Sequence, residues 1–376
     1  MIQELKRNRK EEFPILKSWN FMNHAGVSPL PKCAIDAISE FLNGCEKDFV
    51  GSYEKWWKRV KGTKELFGQL FNCSYKEIAY VKNTTQGILF ASNGIDFKAG
   101  DNVIIPDYEF PANVYPWTNL KEKGVEVRFV PEKDGRFLIE DFERLIDSRT
   151  KVISVSFVEF TTGFRNDVER LGEICNEKRI FYVVDGIQGV GAIPIDVKKC
   201  KIDLMSQDSH KWLLGPEGIG VVYVSEEAME MLKVPFAGYA GVVDYQDYLK
   251  YSQPLDKSAR RFEEGTLNLL GIYSLYASIE MLLKVRIENI YKELMKLTSL
   301  LYEGLVKKGY IVVTPMGDNE RSGIITFVSE KYDCRYLFEV LKKNRISTAM
   351  RRERIRLSPH FYNNEEDIEQ LINILP

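Results

Sequence analysis

Residues 203–220 read DLMSQDSHKWLLGPEGIG. A buried strand, predicted over Ile202–Ser206, leads into a turn of small and polar residues that holds Lys211. Three glycines follow, and they lead into a second predicted strand, Ile219–Val224. A dinucleotide-binding fingerprint must join a strand to a helix. The glycines therefore do not indicate a nucleotide site, and the lysine is the feature to explain.

Lys211 is a candidate for covalent chemistry because it follows the end of a buried strand. A free lysine amine has a pKa of about 10.4 and is protonated at neutral pH. Partial burial lowers that pKa and allows the amine to form a Schiff base with a carbonyl. The alternative is a surface lysine in a loop, which is the common case for an arbitrary lysine. The segments that accompany Lys211 favour the catalytic interpretation.

The second segment covers residues 180–196 and reads IFYVVDGIQGVGAIPID. Its apolar run places Asp185 at the carboxyl end of a buried strand, where parallel sheets bind their ligands. A buried carboxylate needs a cationic partner to offset its desolvation. A protonated pyridine nitrogen would serve, as in pyridoxal-phosphate sites. An aspartate that caps a helix N-terminus is the alternative for this residue alone.

The third segment covers residues 81–89 and reads VKNTTQGIL. A strand ends at Lys82, and Thr84 and Thr85 stand at the start of a helix. Free backbone N–H groups and two hydroxyl groups at a helix N-terminus form an anion site. Helix capping would explain one such residue, and the pair favours a phosphate.

Around these segments, the first two thirds of the chain alternate short apolar runs with helical patterns. Seven runs rich in Val and Ile predict buried strands: Ala79–Lys82, Asn102–Ile105, Val125–Val130, Val152–Phe157, Ile180–Val184, Ile202–Ser206 and Ile219–Val224. Helices between many of them predict β-α-β units and a mostly parallel sheet. The sequence therefore predicts an α/β domain with a seven-stranded sheet.

The last third of the chain shows a different, α+β pattern. A long helical region, residues 266–308, precedes shorter elements: strands Tyr310–Thr314, Gly323–Val328 and Ile355–Leu357, and helices Tyr336–Lys343 and Glu365–Leu375. We therefore predict a large domain over residues 21–255 and a small C-terminal domain over residues 256–376. Residues 1–20 are expected to form a segment that packs with the small domain.

The composition excludes several classes of protein. The 52 basic and 54 acidic side chains give a net charge of −2, which argues against a nucleic-acid binder. No apolar run approaches the roughly 20 residues that cross a bilayer, and the N-terminus lacks an apolar signal stretch. Six scattered cysteines and three distant histidines form no metal-binding spacing. We expect a cytoplasmic protein without a metal site or a membrane partner.

Together these segments resemble the class V aminotransferase family of fold-type I pyridoxal-phosphate enzymes, which includes cysteine desulfurases, kynureninase and isopenicillin N epimerase-like proteins. The resemblance covers about residues 21–362. It implies a fold-type I transferase fold, pyridoxal 5'-phosphate as the cofactor and a small-molecule amino acid as the substrate. It also implies a homodimer in which the partner subunit completes the phosphate site.

The resemblance also implies roles for single residues. Lys211 would be the catalytic Schiff-base lysine that forms the internal aldimine, and Asp185 would hold the pyridine nitrogen. The remaining cofactor contacts would come from Thr84, Thr85, Phe110, Gln188, His210, Gly265 and Thr266. Within that set, Phe110 would lie against the ring, and Gly265 and Thr266 would reach the phosphate of the neighbouring subunit. Arg356 would bind the substrate α-carboxylate, because its planar fork matches a carboxylate. His24 lies in the N-terminal loop that would contact the substrate.

Two departures from the family pattern concern acidic residues near the cofactor. Asp208 stands where desulfurases carry a phosphate-binding serine; a carboxylate cannot donate to a phosphate, so Asp208 is expected to turn elsewhere or to accept from a neighbour. Glu159 stands where relatives have an amide, and its charge would bias protonation near the ring. A surface glutamate at a strand end is the alternative for Glu159.

The cysteines limit the predicted chemistry. The last one, Cys334, lies 22 residues before Arg356 at a predicted helix start, where a half-buried structural thiol is expected. A persulfide-forming desulfurase is therefore disfavoured. The sequence predicts an aminotransferase-like enzyme that uses Lys211, with a C–S or C–C β-lyase or an epimerase-type enzyme as the alternative.

Two further questions stay open at this stage. Arg351, Arg352 and Arg354 form either a solvated turn or a site in which one of them meets a second substrate carboxylate. A non-catalytic scaffold on the same fold is a different class of function. The presence of Lys211, Asp185 and Arg356 together argues against it, since a pure scaffold needs none of them.

Overall fold

The computed structural model describes residues 2–376. Its α-helices are α1 (Ile2–Arg7), α2 (Arg9–Glu12), α3 (Lys32–Lys47), α4 (Phe49–Phe71), α5 (Thr84–Gly94), α6 (Tyr115–Thr118), α7 (Ile139–Leu145), α8 (Val168–Lys178), α9 (Glu226–Met231), α10 (Leu269–Val285), α11 (Ile287–Lys307), α12 (Cys334–Lys343) and α13 (Glu365–Ile374). Its strands are β1 (Asn20–Phe21), β2 (Ile78–Val81), β3 (Asn102–Pro106), β4 (Glu126–Val130), β5 (Thr150–Ser156), β6 (Phe181–Asp185), β7 (Leu204–Asp208), β8 (Gly220–Val224), β9 (Ile311–Val312), β10 (Ile325–Val328), β11 (Ile346–Ser347), β12 (Ala349–Arg351) and β13 (Arg354–Leu357).

A seven-stranded sheet forms the centre of the molecule, in the order β2-β8-β7-β6-β5-β3-β4. The four pairings from β7 to β4 are parallel, whereas β8 runs antiparallel to both β7 and β2. The seven predicted strands are all present, and the prediction of a mostly parallel α/β sheet is confirmed. Most of these strands are buried along their length because their Val and Ile side chains face helices on both sides.

Helices cover both faces of this sheet. One face packs against a hydrophobic cluster to which α4, α8 and α10 contribute, and the other against a cluster that includes side chains of α5 and α9. Because β2 and β7 run in the same direction, the carboxyl ends of β2, β5, β6 and β7 lie at one edge. That edge is where a ligand site is expected in an open α/β sheet.

The C-terminal part contains a four-stranded antiparallel sheet, in the order β12-β13-β10-β9. Its core cluster joins side chains of α11, α12 and α13. The predicted helical region 266–308 is two helices, α10 and α11, separated at Arg286, whose φ is +74°. Strand β12, which pairs with β13 to form a hairpin, was not predicted from the sequence.

The N-terminal residues contact the C-terminal elements. Arg9 forms an ion pair with Asp367 of α13, and β1 pairs in parallel with β11. Helix α10 packs against α3 and α4. The predicted domain boundaries near residues 20 and 255 stay predictions. Within residues 2–376, no helix is both long and apolar enough to cross a bilayer.

Candidate active site

A cavity of about 260 Å³ lies at the carboxyl edge of the central sheet. Nine of the thirteen predicted site residues line it: Thr84, Thr85, Phe110, Asp185, Gln188, Asp208, His210, Lys211 and Arg356. Its other lining residues are Ala25, Gly26, Val27, Asn83, Ala112, Phe160, Ile187 and Arg351. The fold thus brings together segments that are more than 270 residues apart in the chain.

Lys211 is buried in the turn that follows β7. Its Nζ lies 5.4 Å from the centroid of the Phe110 ring. Burial lowers the pKa of Lys211 to about 8; Asp185 raises it, and the guanidinium groups of Arg356 and Arg351 lower it further. A substantial fraction of the amine is therefore neutral near pH 8, as a nucleophile or a proton acceptor requires.

Asp185 ends β6 and is buried at the floor of the cavity. Its Oδ1 accepts a hydrogen bond of 3.0 Å from the backbone N–H of Ile187. Its Oδ2 is buried and has no hydrogen-bond partner among the described residues. Burial raises the pKa of Asp185 to about 6, against the lowering effects of that N–H and of Lys211. The unpartnered oxygen fits a cationic donor supplied by a ligand.

Gln188 is fixed by hydrogen bonds at both ends of its amide. Its Nε2 donates to the carbonyl of Ala25 at 3.0 Å, and its Oε1 accepts from Trp212 Nε1 at 3.0 Å. These two contacts leave one N–H of the amide for a ligand.

The N-terminus of α5 forms one end of the cavity. Asn83 caps this helix by accepting from the N–H of Gln86, and the remaining N–H groups of the first turn suit an anion. Thr84 Oγ1 accepts from the N–H of Asp208 at 3.1 Å. Helix α5 approaches β7 closely, because a Cβ on Gly87 would lie 2.2 Å from Ser206 Oγ.

Asp208 lines the cavity, and its carboxylate accepts from a neighbouring backbone N–H. Its Oδ1 accepts from the N–H of Ser209 at 2.7 Å, and its Oδ2 lies 3.2 Å from Nδ1 of His210. The Nδ1 atom makes no hydrogen bond within residues 2–376, and His210 lines the cavity.

Phe110 presents an exposed ring to the cavity, and the residue beside it is a buried glutamate that the sequence analysis missed. Glu109 accepts from the backbone N–H and the hydroxyl of Ser156, each at 2.6 Å. Ser156 is paired with Asp185 across the sheet. Burial, with a further contribution from Asp185, raises the pKa of Glu109 to about 8. The sequence offered one indication of Glu109, namely that this acidic residue stands directly before Phe110, the residue predicted to lie against the ring.

Glu159 does not line the cavity. It is fully buried and accepts from Nδ2 of Asn166 at 2.7 Å, so the alternative of a surface glutamate is wrong. Burial, followed by the charge of Glu109, raises the pKa of Glu159 well above its ordinary range. The expectation that Glu159 carries a charge near the ring is therefore corrected: its surroundings favour the protonated, neutral form.

Arg356 is buried on β13 and is only partly satisfied by protein groups. Its Nη1 donates to the carbonyl of Phe160 at 2.9 Å, while its buried Nε and Nη2 find no partner within residues 2–376. Burial, and then the charge of Arg351, lower the pKa of Arg356 to about 9. An anionic ligand would complete this donor set.

The structure does not bring His24 into the cavity, although the neighbouring Ala25 lines it. The His24 ring is completely buried, with Nδ1 2.9 Å from the carbonyl of Ser358 and Nε2 beside the hydroxyl of Tyr362. Burial, followed by the neighbouring His360, lowers the pKa of His24 well below its ordinary range. This placement gives His24 a packing role and does not support direct contact with a substrate.

Gly265 and Thr266 also lie outside the cavity that contains Lys211. They line a separate surface pocket of about 840 Å³, in which Thr266 Oγ1 is 3.1 Å from the Tyr239 hydroxyl. Exposed aromatic side chains, among them Tyr53, Tyr239 and Tyr248, line the same pocket.

No cysteine lines the cavity that contains Lys211. Cys334 is half-buried at the start of α12, and burial raises the pKa of its thiol to about 11. The predicted half-buried position at a helix start is confirmed, and the structural role of this thiol stays a prediction. No group of His, Cys, Asp or Glu side chains that could hold a metal ion occurs in the described part of the chain.

The residues present fit pyridoxal phosphate. The unpartnered oxygen of Asp185 suits a protonated ring nitrogen, the α5 N-terminus suits a phosphate, and the Lys211 amine suits the aldehyde carbon. The fit therefore rests on the positions of Asp185, helix α5 and Lys211 around one cavity.

Comparisons with known proteins agree with this arrangement. The family model described as "Aminotransferase class-V" matches residues 20–371. An uncharacterized aminotransferase from Schizosaccharomyces pombe is 30% identical over 393 residues, which cover 100% of this chain and 96% of that protein. A probable cysteine desulfurase from Pyrococcus abyssi is 27% identical, with 97% and 96% covered.

Solved structures share the fold. The apo structure of a cysteine desulfurase from Thermococcus onnurineus NA1 has a TM-score of 0.89 at 22% identity, covering 98% of this chain and 96% of that chain. A complex of the cystine C–S lyase C-DES with cysteine persulfide has a TM-score of 0.86 at 20% identity, covering 96% and 98%.

Proposed function

Since this chain belongs to the class V aminotransferase family and is a pyridoxal-phosphate enzyme that acts on an amino acid, we propose that it is an aminotransferase. One observation carries the proposal: Lys211, Asp185 and Arg356 line a single cavity, and no thiol does. A transamination needs an amine, a ring-holding carboxylate and a carboxylate-binding cation, and it needs no protein thiol.

The cofactor is proposed to be held by residues from four strand ends, those of β2, β3, β6 and β7. Bound pyridoxal phosphate supplies an electron sink for the bonds at the substrate Cα. The Asp185 carboxylate would hold the ring nitrogen, and Thr84, Thr85 and His210 would hold the phosphate. Phe110 would lie against the ring, and Gln188 would offer its free N–H to the ring hydroxyl. These assignments rest on the placement of the residues around the cavity.

Lys211 is proposed to move the proton at the substrate Cα. Its lowered pKa allows the amine to accept that proton near neutral pH. Arg356 would orient the substrate through its two unpartnered donors, Nε and Nη2, which match a carboxylate. Both side chains are buried, which limits their contact with water.

The enzyme is proposed to be a cytoplasmic homodimer in which Gly265 and Thr266 complete the phosphate site of the partner subunit. Two observations support the dimer: these residues lie away from their own chain's cavity, and exposed aromatic side chains surround them. The six cysteines are free thiols in the structure, which suits a reducing compartment.

A β-lyase or an epimerase-type enzyme is the second candidate function. It is favoured by the relatives named probable cysteine desulfurase together with the absence of a cysteine from the lining of the cavity. A lyase that releases its product without a protein thiol would fit both facts. A desulfurase that carries sulfur on a cysteine of this cavity would not.

The experiment that tests the proposal uses the purified protein and a panel of amino acids. The protein should be yellow, and borohydride should attach the cofactor irreversibly to Lys211, as shown by peptide mass mapping. Turnover should then require a keto acid as the amino acceptor. Release of pyruvate with ammonia or sulfide in the absence of a keto acid would replace the aminotransferase by the lyase, and a colourless protein would overturn both.

A further inference from the structure

The hairpin of β12 and β13 places three arginines on one face. Ala349 pairs with Arg356, and Arg351 pairs with Arg354. Side chains alternate between faces along a strand, so Arg351, Arg354 and Arg356 share the face opposite Ile355. Arg351 and Arg356 are diagonal neighbours, a spacing of about 7–8 Å that long side chains span easily.

This group of arginines has no acidic partner in the protein. None of the three forms an ion pair within residues 2–376, and the hydrogen bond of the Arg351 guanidinium goes to the carbonyl of the preceding residue. Like charges directly opposite each other on a sheet destabilise it. Arg351 is exposed and Arg354 is partly exposed, whereas Arg356 is buried with two unpartnered donors. An anionic ligand at this face would satisfy Arg356 and would meet the positive charge of Arg351.

Two of these arginines face the reaction site. Arg351 and Arg356 both line the cavity that contains Lys211, whereas Arg354 does not. The phosphate end of that cavity is formed by Thr84 and His210 on other elements, so the phosphate does not require Arg351. If Arg356 takes the α-carboxylate, the guanidinium of Arg351 is left for a second anionic group.

The hairpin is held in place over the site. Its two turn residues, Arg352 and Glu353, have φ values of +46° and +57°, as in a two-residue type I′ turn. The Arg352 guanidinium lies 3.9 Å from the centroid of the Tyr108 ring. Tyr108 itself has a φ of +59° and stands two residues before Phe110. The cation–π contact therefore fixes the hairpin against the segment that supplies the ring of the cavity.

We propose that the substrate is an acidic amino acid, whose α-carboxylate binds Arg356 and whose side-chain carboxylate binds Arg351. This inference rests on the proposed function and goes one step further, because it names the class of substrate. It also selects one of the two interpretations of the arginine run: Arg351 is a specificity residue, and the run is not only a solvated turn.

The test measures binding to the yellow holoenzyme by calorimetry. The probes are succinate, which carries two carboxylates, and succinamate, in which an amide of the same shape replaces one of them. Succinate should bind about tenfold more tightly, since a charge-assisted contact is lost in succinamate. Arg351→Met should remove this preference, and Arg351→Lys should keep part of it. The matched control, Arg354→Met, changes an arginine of the same face that does not line the cavity, and it should retain the full preference.

The possible results separate this inference from the proposed function. A wild-type enzyme with no preference for succinate, or an Arg351→Met variant that keeps it, overturns the assignment of an acidic substrate. Turnover provides the second readout: glutamate and aspartate should exceed glutamine and asparagine in kcat/KM in an Arg351-dependent manner. If the cofactor is retained on Lys211 and neutral amino acids are equally good substrates, only the substrate class is wrong. If no cofactor is retained, the proposed function itself fails.

Discussion

The Lys211 amine combines burial with a mixed set of neighbouring charges. Desolvation lowers the pKa of this amine, and Asp185 opposes that shift, while Arg351 and Arg356 add to it. The aromatic ring of Phe110 contacts the amine from the cavity side. These effects together place the pKa near 8, within the range in which a lysine can both accept and return a proton.

Replacement of Lys211 by alanine tests the proposed role of this amine. The Lys211→Ala variant should lose about 10²–10⁴-fold or more in kcat, because the group that moves the Cα proton is absent. Stopped-flow and steady-state assays measure the loss, and borohydride should no longer attach the cofactor. Lys331→Ala, which changes an exposed lysine of the C-terminal part, serves as the control. Equal activity in the two variants would contradict the role.

Glu109 leads to a prediction about pH and stability. Its pKa is about 8 in the folded protein because it is buried, against about 4.3 in an unfolded chain. As the pH rises from about 4 to about 8, the unfolded state releases its proton first, so the folded state loses stability over this window. Each pKa unit corresponds to about 1.4 kcal/mol.

The Glu109→Gln variant should remove this dependence. Gln keeps the shape of the side chain and can still bond both groups of Ser156. In the cofactor-free protein, the Tm of wild type should fall more steeply between pH 5 and pH 8 than the Tm of the variant. Asp185, with a pKa of about 6, adds a decline of its own in both proteins. Because Asp185 and Glu109 interact, the difference between the two curves reports the coupled titration of the carboxyl cluster that Glu109 belongs to. Parallel curves would show that Glu109 is ionised in the folded protein throughout this range.

Among the secondary-structure elements, the strands of the central sheet could be predicted from the sequence, whereas the short strand β12 could not. The seven central strands are apolar runs that end at turn residues, so their positions could be read from the chain. The position of β12 could not be read in this way, because the strand has only three residues and mixes apolar with charged side chains. In addition, its turn residues Arg352 and Glu353 are not the glycine or asparagine that usually marks a type I′ turn.

The positions of some site residues could likewise be predicted from the sequence, and the positions of others could not. Lys211 follows β7 and Asp185 ends β6, so the shared direction of these strands brings the two residues to the same edge of the sheet. His24 and Glu159 are positioned by distant segments that cover them, and only tertiary packing decides that both are buried. Their burial, and the neutral state that it favours, could not be inferred from their neighbours in the sequence.

The close contact between helix α5 and strand β7 leads to a prediction about stability and cofactor binding. A Cβ on Gly87 would lie 2.2 Å from Oγ and 2.6 Å from Cβ of Ser206. Gly87→Ala should therefore push the helix from the sheet, lower stability by about 1–3 kcal/mol and weaken cofactor binding at the helix N-terminus. Denaturant unfolding and a fluorescence titration with pyridoxal phosphate measure the two effects.

A second substitution on the strand serves as the control for Gly87. Ser206→Gly removes the side chain that an alanine at position 87 would meet, so the double variant should regain part of the lost stability and affinity. A double-mutant cycle quantifies this coupling. Strictly additive effects would show that the contact does not limit the position of α5.

For the molecule as a whole, the separation of Thr266 from its own chain's cavity is the feature that requires an explanation. Thr266 lies in a surface pocket lined by exposed aromatic side chains, whereas Thr84 and His210 lie around Lys211. A symmetric dimer would cover those aromatic groups and would carry Thr266 to the opposite site. Each active site would then consist of residues from both chains.

Heterodimers of two inactive chains test this arrangement. One chain carries Lys211→Ala, and the other carries Thr266→Asp, whose carboxylate repels the cofactor phosphate. If Thr266 serves the partner's site, the heterodimer purified through two affinity tags has one intact site and about half of the wild-type activity. The mirror control places both substitutions on one chain paired with a wild-type chain; here each site carries one defect, so activity should be low. If instead each chain completes its own site, the results are reversed. The first heterodimer is then inactive, because each of its sites carries one substitution. The control is active, because its wild-type chain forms one intact site.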